Sequence, residues 1–485
     1  MSRQWHGPLE KVADTLWRIP QTYDRGMNVP GYIFADETMI QSIRNDAAPQ
    51  QVVNVAHLPG IISGSYAMPD IHWGYGFPIG GVAAFSKEQG IVSPGGVGYD
   101  INCGVRLVRT NLEKEELDSI LPALMPALFS AVPCGMGCKG RITLSQKQER
   151  DVLNQGAAWA VNNGFGRKED VEFSENNGAL HGADASALSQ RALDRGRPQL
   201  GTLGSGNHFL EIQEVETIYD REKAEAFGLY KGQITVMIHT GSRGLGHQVC
   251  DDSLDTMVRA MHKYRIAVPD KQLACAPVSS PEAEQYLASM AAAANYAWAN
   301  RQVIMHYVRQ VFEHTFSRSA EHLGMSMVYD VAHNIAKFEH HMVDGSQQEV
   351  LVHRKGATRA WGPGNPELPG AYQDAGQPVL IPGDMGTASY VLAGTGYSEE
   401  DCFGSACHGA GRVMSRHAAV RAAQGRSISD EMEQRGVLVQ SRSTRTLAEE
   451  APEAYKDITS VVNIVHRAGL AAKVARMRPL GVIKG

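Results

Sequence analysis

Apolar and polar positions along this 485-residue chain follow two periods, and the helical one is strongest just after Ser280. From Ser280-Pro281-Glu282 the run YLASMAAAANYAWANRQVIMHYVRQVFEHTF places apolar residues three and four apart. Proline at the first helical position makes this the longest predicted helix. A second helix is expected over 113–131, which opens on a cluster of acids. Ser145 with Gln148 reads as a capping box before ERDVLNQGAAWAV. Short apolar runs predict strands at 233–244, 325–334 and 378–386, and a hairpin at 342–356. The Pro/Gly-rich interval 361–378 reads as a surface loop. No repeat, low-complexity tract or polar linker interrupts the pattern. One interlocked domain over 1–485 is therefore expected, and strands and helices without regular βαβ alternation make it α+β.

Composition narrows the function classes. With 43% hydrophobic residues the chain can bury a large core, and a formal net charge of -6 provides no overall basic field for nucleic acid. Any RNA must be held by a local basic cleft. The uncharged stretch 285–300 is rich in Ala with Tyr, Asn and Trp, and the N-terminus lacks an apolar signal core, so no membrane span and a cytoplasmic protein are expected. Seven scattered cysteines point to reduced thiols. Cys134 and Cys138 have a zinc-compatible spacing, but no second close pair completes a site.

The chemistry begins in GGVGYDINCGVR, residues 95–106, where Asp100 and Cys103 stand three apart among four glycines that would weaken regular structure. A metal site would account for the pair. Of 18 histidines, His306 and His314 fall in the long helix, and His340, His341 and His417 sit among charges on expected surfaces. Four others, His208, His239, His333 and His408, stand beside glycine-rich turns or at the ends of apolar strands, where ligand residues concentrate. Asp100, Cys103, His208, His239 and His333 make five protein ligands, one more than a tetrahedral site holds. Two ions bridged by the Cys103 thiolate are then the natural count, a device suited to phosphoryl transfer. His408, in CHGAGR, suits an imidazole reached by an incoming phosphate. Lys484 follows an apolar GVI, which suggests a docked terminus.

Taken together these motifs resemble the RtcB family of RNA ligases. The likeness runs from NVAHLPGI and MPDIHWGYGFPIGG through SPGGVGYDINCGVR, QLGTLGSGNHFLEI, MIHTGSRGLGHQV, YDVAHNIAK, VHRKGATRA, GTASYVL and CHGAGR to the terminal GVIKG. It implies a GTP- and manganese-dependent enzyme joining RNA 3′-phosphate or 2′,3′-cyclic phosphate ends to 5′-hydroxyl ends, in tRNA splicing or RNA repair, with an activating protein as a further partner. It also implies a dinuclear cleft, with one ion on Asp100, Cys103 and His208 and the other on Cys103, His239 and His333. His408 would attack the α-phosphate of GTP to form a guanylyl-histidine. The resemblance places the guanylate among Asn207, His208, Phe209, Leu210, Glu211, His333, Asn334, Pro382, Gly383, Asp384, Met385, Ser389, Gly409, Ala410, Gly411 and Lys484. Arg195, Arg243 and Arg416 become the candidates for RNA phosphates.

Two features depart from the family pattern. Asp384 stands where a small hydroxyl residue is usual. The ligand types themselves favour zinc, cobalt or nickel over manganese, so manganese rests on the resemblance. A dinuclear phosphoesterase acting on RNA ends is the competing enzyme class, and an RNA-binding protein with a structural metal is the non-enzymatic one.

Overall fold

The computed structural model describes residues 4–485, which form two large mixed-order sheets flanked by helices. The first sheet runs, in spatial order, Glu10–Ala13, Leu16–Ile19, Gly31–Phe34, Ile61–His72, Ile79–Ser86, Ser346–Lys355 and Asn334–Val343. The second runs Ser326–Ala332, Gly104–Glu113, Gln233–Thr240, Phe209–Ile218, Ala471–Lys484, Ser389–Gly394 and Pro378–Ile381, with Leu438–Ser441 pairing parallel beside the end of Ala471–Lys484. The strand Gln233–Thr240 is buried at every position, including its polar residues Gln233, Thr235, His239 and Thr240.

Register in the second sheet positions the site. Ala332 pairs with Gly104, Gly104 with Thr240, His239 with Phe209, and Phe209 with Lys484. Five strands therefore end in one row, and Cys103, His208, His239, His333 and Lys484 lie in or directly beside it. At His333 the chain leaves Ser326–Ala332 and enters Asn334–Val343 of the first sheet, so this residue marks the crossing between the sheets.

The helix Pro281–Phe316 forms as expected, capped by the Ser280 hydroxyl, which accepts from Ala283 N. It is buried nearly all round and packs on the helices Arg243–Tyr264 and Gln146–Gln155 and on the strand Gln233–Thr240. Several of its buried polar groups are paired across the core, although Tyr286 OH, Trp298 Nε1, Tyr307 OH and Arg309 Nε have no partner among the described residues. Arg301 donates to both carboxylate oxygens of Asp330 and to the carbonyls of Asn102 and Thr240, tying the core to two segments beside the site. Arg106 shares Asp330, at 2.8 Å.

Local expectations hold unevenly. The Ser145–Gln148 capping box is present in both directions. Its helix stops at Gln155 because Gly156 takes φ 58°, and a second helix, Ala157–Asn162, follows. The expected helix over 113–131 is two helices, Lys114–Asp118 and Leu121–Ala131, since Pro122 lacks the N–H needed to continue the first. The run 325–334 holds the expected strand, Ser326–Ala332, and ends on the first residue of another, Asn334–Val343. The hairpin turns at Asp344-Gly345, and its first strand reaches back to Asn334, beyond the expected 342. The 361–378 interval is a loop, yet Trp361 and Tyr372 within it are buried, and the Tyr372 hydroxyl donates to Val328 O. His341 is a second correction: strand alternation turns it inward, where it meets Glu339 at 3.1 Å and packs on Trp361 and Phe403. His340 and His417 are exposed.

Candidate active site

The Asp100–Cys103 segment is a tight turn closed by Cys103 N donating to Asp100 O, with Asn102 in the left-handed region at φ 51°. Its glycines serve close approach. A Cβ on Gly104 would press on Val331 O and lie 3.0 Å from the Arg301 guanidinium, and one on Gly241 would enter the Asp100 carboxylate. The turn brings Asp100, Cys103 and His208 together with their ligating atoms all within 4.8 Å of one another. His208 Nε2 lies 2.8 Å from Asp100 Oδ2 and 3.6 Å from Cys103 Sγ, while His239 Nε2 is 3.2 Å from the same sulfur. The His333 ring stands 5.3 Å from that of His239, and its Nδ1 is paired with the Thr358 hydroxyl at 3.0 Å.

This donor set fits a divalent cation. His333 Nε2 and His239 Nδ1 are buried without a hydrogen-bond partner, a costly state that an ion relieves at an imidazole nitrogen. Burial, then the nearby Asp100 charge, pushes the Cys103 thiol well up. Burial and the neighbouring histidines hold His239 and His333 well below the usual imidazole range, so both are neutral and able to ligate. Asp100 is held down by His208 against the effect of its burial. Among the described residues, the three-residue group of Asp100, Cys103 and His208 is the one gathered tightly enough to be recognised as a metal cluster. Cys134 instead points its thiol at Lys484 O, and Cys138 accepts from Arg243.

His408 approaches from a separate two-stranded sheet. It follows the short strand Ser405–Cys407, which pairs with Ala357–Arg359, and its ring lies 5.3 Å from that of His333. His408 Nδ1–H donates to Asp70 Oδ2 at 2.6 Å, and its backbone N–H donates to the same oxygen. Asp70 is fully buried, and Lys456 fixes its surroundings by donating to the flanking carbonyls of Pro69 and Ile71. With Nδ1 engaged, Nε2 is the nitrogen left to act. Sequence reasoning assigned no role to Asp70, although it sits in the quoted MPDIHWGYG stretch.

A cavity of about 250 Å³ opens between His408 and the row of strand ends. On Phe209–Ile218 alternation turns Phe209 and Glu211 into it and Leu210 into the core, so Leu210 can offer a ligand only backbone. Burial pushes the Glu211 carboxyl up to about 7, opposed by Gln213 and Lys484. Lys484 is not a frayed end. It pairs in the ladder with Phe209, its Nζ donates to Gly206 O and it lies over the Phe209 ring. Asn207, Asn334, the Pro382–Met385 turn and Gly409–Gly411 also line the cavity, whereas Ser389 lies behind it, its Oγ accepting from Gly383 N. Asn334 braces the site, donating to Asp100 O and accepting from Gly356 N. Both Asp384 oxygens are taken by its own turn, through Gly386 N and the Thr387 hydroxyl, so this departure from the family pattern caps a loop.

Glu450 also escaped sequence reasoning. Fully buried at the cavity wall, it meets Arg412 at 3.2 Å, Arg416 at 3.6 Å and Lys484 at 3.8 Å, and accepts from the Tyr455 hydroxyl. Of the candidate phosphate-binding arginines, Arg416 is exposed and lines the cavity. Arg243 is mostly buried, its Nε donating to Thr202, and lines a second, adjoining cleft. Arg195 is exposed but turned to Gln248, away from both.

Comparison with known proteins agrees with the motifs. Residues 51–485 match the family model described as tRNA-splicing ligase RtcB. The chain is 56% identical over 478 residues to the tRNA-splicing ligase RtcB of Thermococcus kodakarensis and 54% identical over 479 residues to that of Archaeoglobus fulgidus, in each case over 99% of both chains. It is 54% identical to the RNA-splicing ligase RtcB of Mycobacterium tuberculosis over 90% of this chain and 100% of the relative. Among the described residues no helix is long and apolar enough to cross a membrane.

Proposed function

Because the chain belongs to the RtcB family of tRNA-splicing ligases, we propose that this RNA ligase works through a guanylyl-histidine on His408. The whole chain, 1–485, acts as one catalytic unit on RNA with a 3′-phosphate or 2′,3′-cyclic phosphate and RNA with a 5′-hydroxyl. A cytoplasmic setting suits its seven free cysteines.

The observation that carries the reading is the fixed imidazole of His408, held through Nδ1 by Asp70 at the wall of a cavity that also contains Glu211 and Lys484. Free Nε2 attacks the α-phosphorus of GTP, the new bond is phosphorus to nitrogen, and the bond to the pyrophosphate oxygen breaks. Guanylate then passes to the RNA 3′-phosphate, and the 5′-hydroxyl of the second RNA displaces GMP. A carboxylate at Glu211 is suited to guanine, whose N1–H and exocyclic amine are both donors. Lys484 supplies a cation to the same ligand. Asp100, Cys103, His208, His239 and His333 would hold two manganese ions, with Cys103 serving both, and bound metal would supply positive charge to neutralise phosphate.

The test is incubation of the pure protein with manganese and α-labelled GTP, followed by denaturation. A ligase of this kind retains label on the protein, and His408→Ala abolishes it while metal content persists. A dinuclear phosphoesterase retains none.

A further inference from the structure

Beside the nucleotide cavity lies a second cleft of about 850 Å³, joined to the first through Asp100, Asn207 and Arg416. Four arginines line it: Arg243, Arg416, Arg442 and Arg445. Glu449 is an acidic neighbour, paired with Arg445 at 3.0 Å. Two aromatic rings share the lining, Tyr99 and His247, with centroids 5.9 Å apart and planes tilted by 32°. Tyr99 precedes Asp100 in the chain, so its ring is anchored to the segment that carries the metal-ligand candidates. Behind it Tyr75 meets the ring edge-on at 5.4 Å, and His247 is exposed on the helix Arg243–Tyr264.

We propose that Tyr99 and His247 form a stacking platform for the nucleobase adjoining the RNA end that reacts, with the cleft arginines receiving its phosphates. Cations along a groove combined with ring faces are the combination that holds single-stranded nucleic acid independently of sequence. Buttressing by Tyr75 reduces the entropy lost when a base settles on Tyr99, since the ring is already ordered. The guanylate site has its own ring, Phe209, under Lys484, which leaves the Tyr99–His247 pair for a different base. Such a platform accepts any base, as a ligase that rejoins varied ends requires.

The platform rests on the RNA ligase reading, and one experiment separates the two. An RNA carrying 2-aminopurine as its terminal base is titrated with protein at low salt, without GTP, following both affinity and fluorescence. Wild type should bind and quench the probe. Tyr99→Phe should behave as wild type, whereas Tyr99→Leu should lose the quench and bind about tenfold to hundredfold more weakly. Metal content measured on the same samples reports any disturbance of Asp100. If Tyr99→Leu loses metal, His247→Leu, remote from the metal-ligand turn in sequence, decides the matter by the same two readouts. Full quenching by the leucine variants, or equal loss in Tyr99→Phe and Tyr99→Leu, overturns the platform alone. Failure of wild type to bind RNA at all overturns the ligase reading with it.

Discussion

His408 donates from Nδ1 to Asp70 across 2.6 Å, and the carboxylate that receives the proton is fully buried. The pairing fixes one imidazole tautomer. In Asp70→Asn the amide can donate instead of accept, which would leave the proton on Nε2, the nitrogen assigned to attack. By analogy with the loss when a catalytic histidine's orienting aspartate is amidated, guanylylation should fall by about 10²–10⁴-fold. Single-turnover labelling with GTP measures it, and a rate within threefold of wild type rejects the positioning role.

Cys103 lies within 3.6 Å of His208 and 3.2 Å of His239. Serine preserves the size of the side chain but ionises far less readily and is a poor bridge. Cys103→Ser should weaken both ions together in elemental analysis after dialysis. Loss of a single equivalent would confine the thiolate to one ion.

Glu211 is a carboxyl raised by burial, from an ordinary value near 4.5 to about 7. Its neutral form is favoured in the folded state, so its stabilising contribution is complete below pH 4.5 and disappears as pH rises through 7. Over that window the shift corresponds to roughly 3 kcal/mol, an upper figure because Lys484 shares the cavity. Glu211→Gln should therefore gain stability relative to wild type between pH 5 and 8 in urea titrations of the ligand-free protein, while guanylylation by GTP weakens. Parallel pH profiles for the two proteins would show that Glu211 is not the titrating group.

Glu450 gathers Arg412, Arg416 and Lys484, which keep it ionised against its burial. Glu450→Gln leaves buried cations without a counter-charge and should cost about 3–5 kcal/mol in chemical denaturation. Its carboxyl lies below the ordinary value, so its stabilisation is present above pH 4.5 and is lost as acid protonates it. The variant should accordingly show less acid sensitivity than wild type.

Lys484→Met removes the ammonium yet keeps the ladder pairing with Phe209. Losing a charge-assisted hydrogen bond of about 1.5–3 kcal/mol should lower GTP use roughly tenfold to hundredfold. Deleting residues 484 and 485 is a different experiment, since Lys484 also pairs with Ser441 and its loss removes backbone bonds on two sides. That truncation should lower the melting temperature as well. Unimpaired guanylylation by Lys484→Met would return the residue to a structural role.

The long helix, the Ser145 cap and the histidines at strand ends were legible because each is a local pattern of period, cap or turn chemistry. So was the grouping of Asp100, Cys103 and His208, once glycine-rich turns were read as places where backbone comes close. What escaped was set by tertiary register. Asp70 and Glu450 look like ordinary acids in sequence, and nothing near either one announces that it faces His408 or Lys484. His341 was misplaced for the same reason: its charged neighbours hid a strand alternation visible only once its pairing with Gln348 is known. Arg442 and Arg445 lie in the stretch QSRSTRT, and only the fold brings them to the cleft beside the cavity.

The row of strand ends has a consequence for how the chain reaches its native state. Cys103 meets His208 and His239 across 105 and 136 positions, and His408 meets Asp70 across 338. Loop closure on that scale comes before any contact repays it, so folding is expected to be slow and its last cooperative step to coincide with the appearance of the reactive centre. An early collapsed species would carry unpaired strand edges and no catalytic competence, which makes recovery of guanylylation during refolding a sensitive clock for completion of the central sheet.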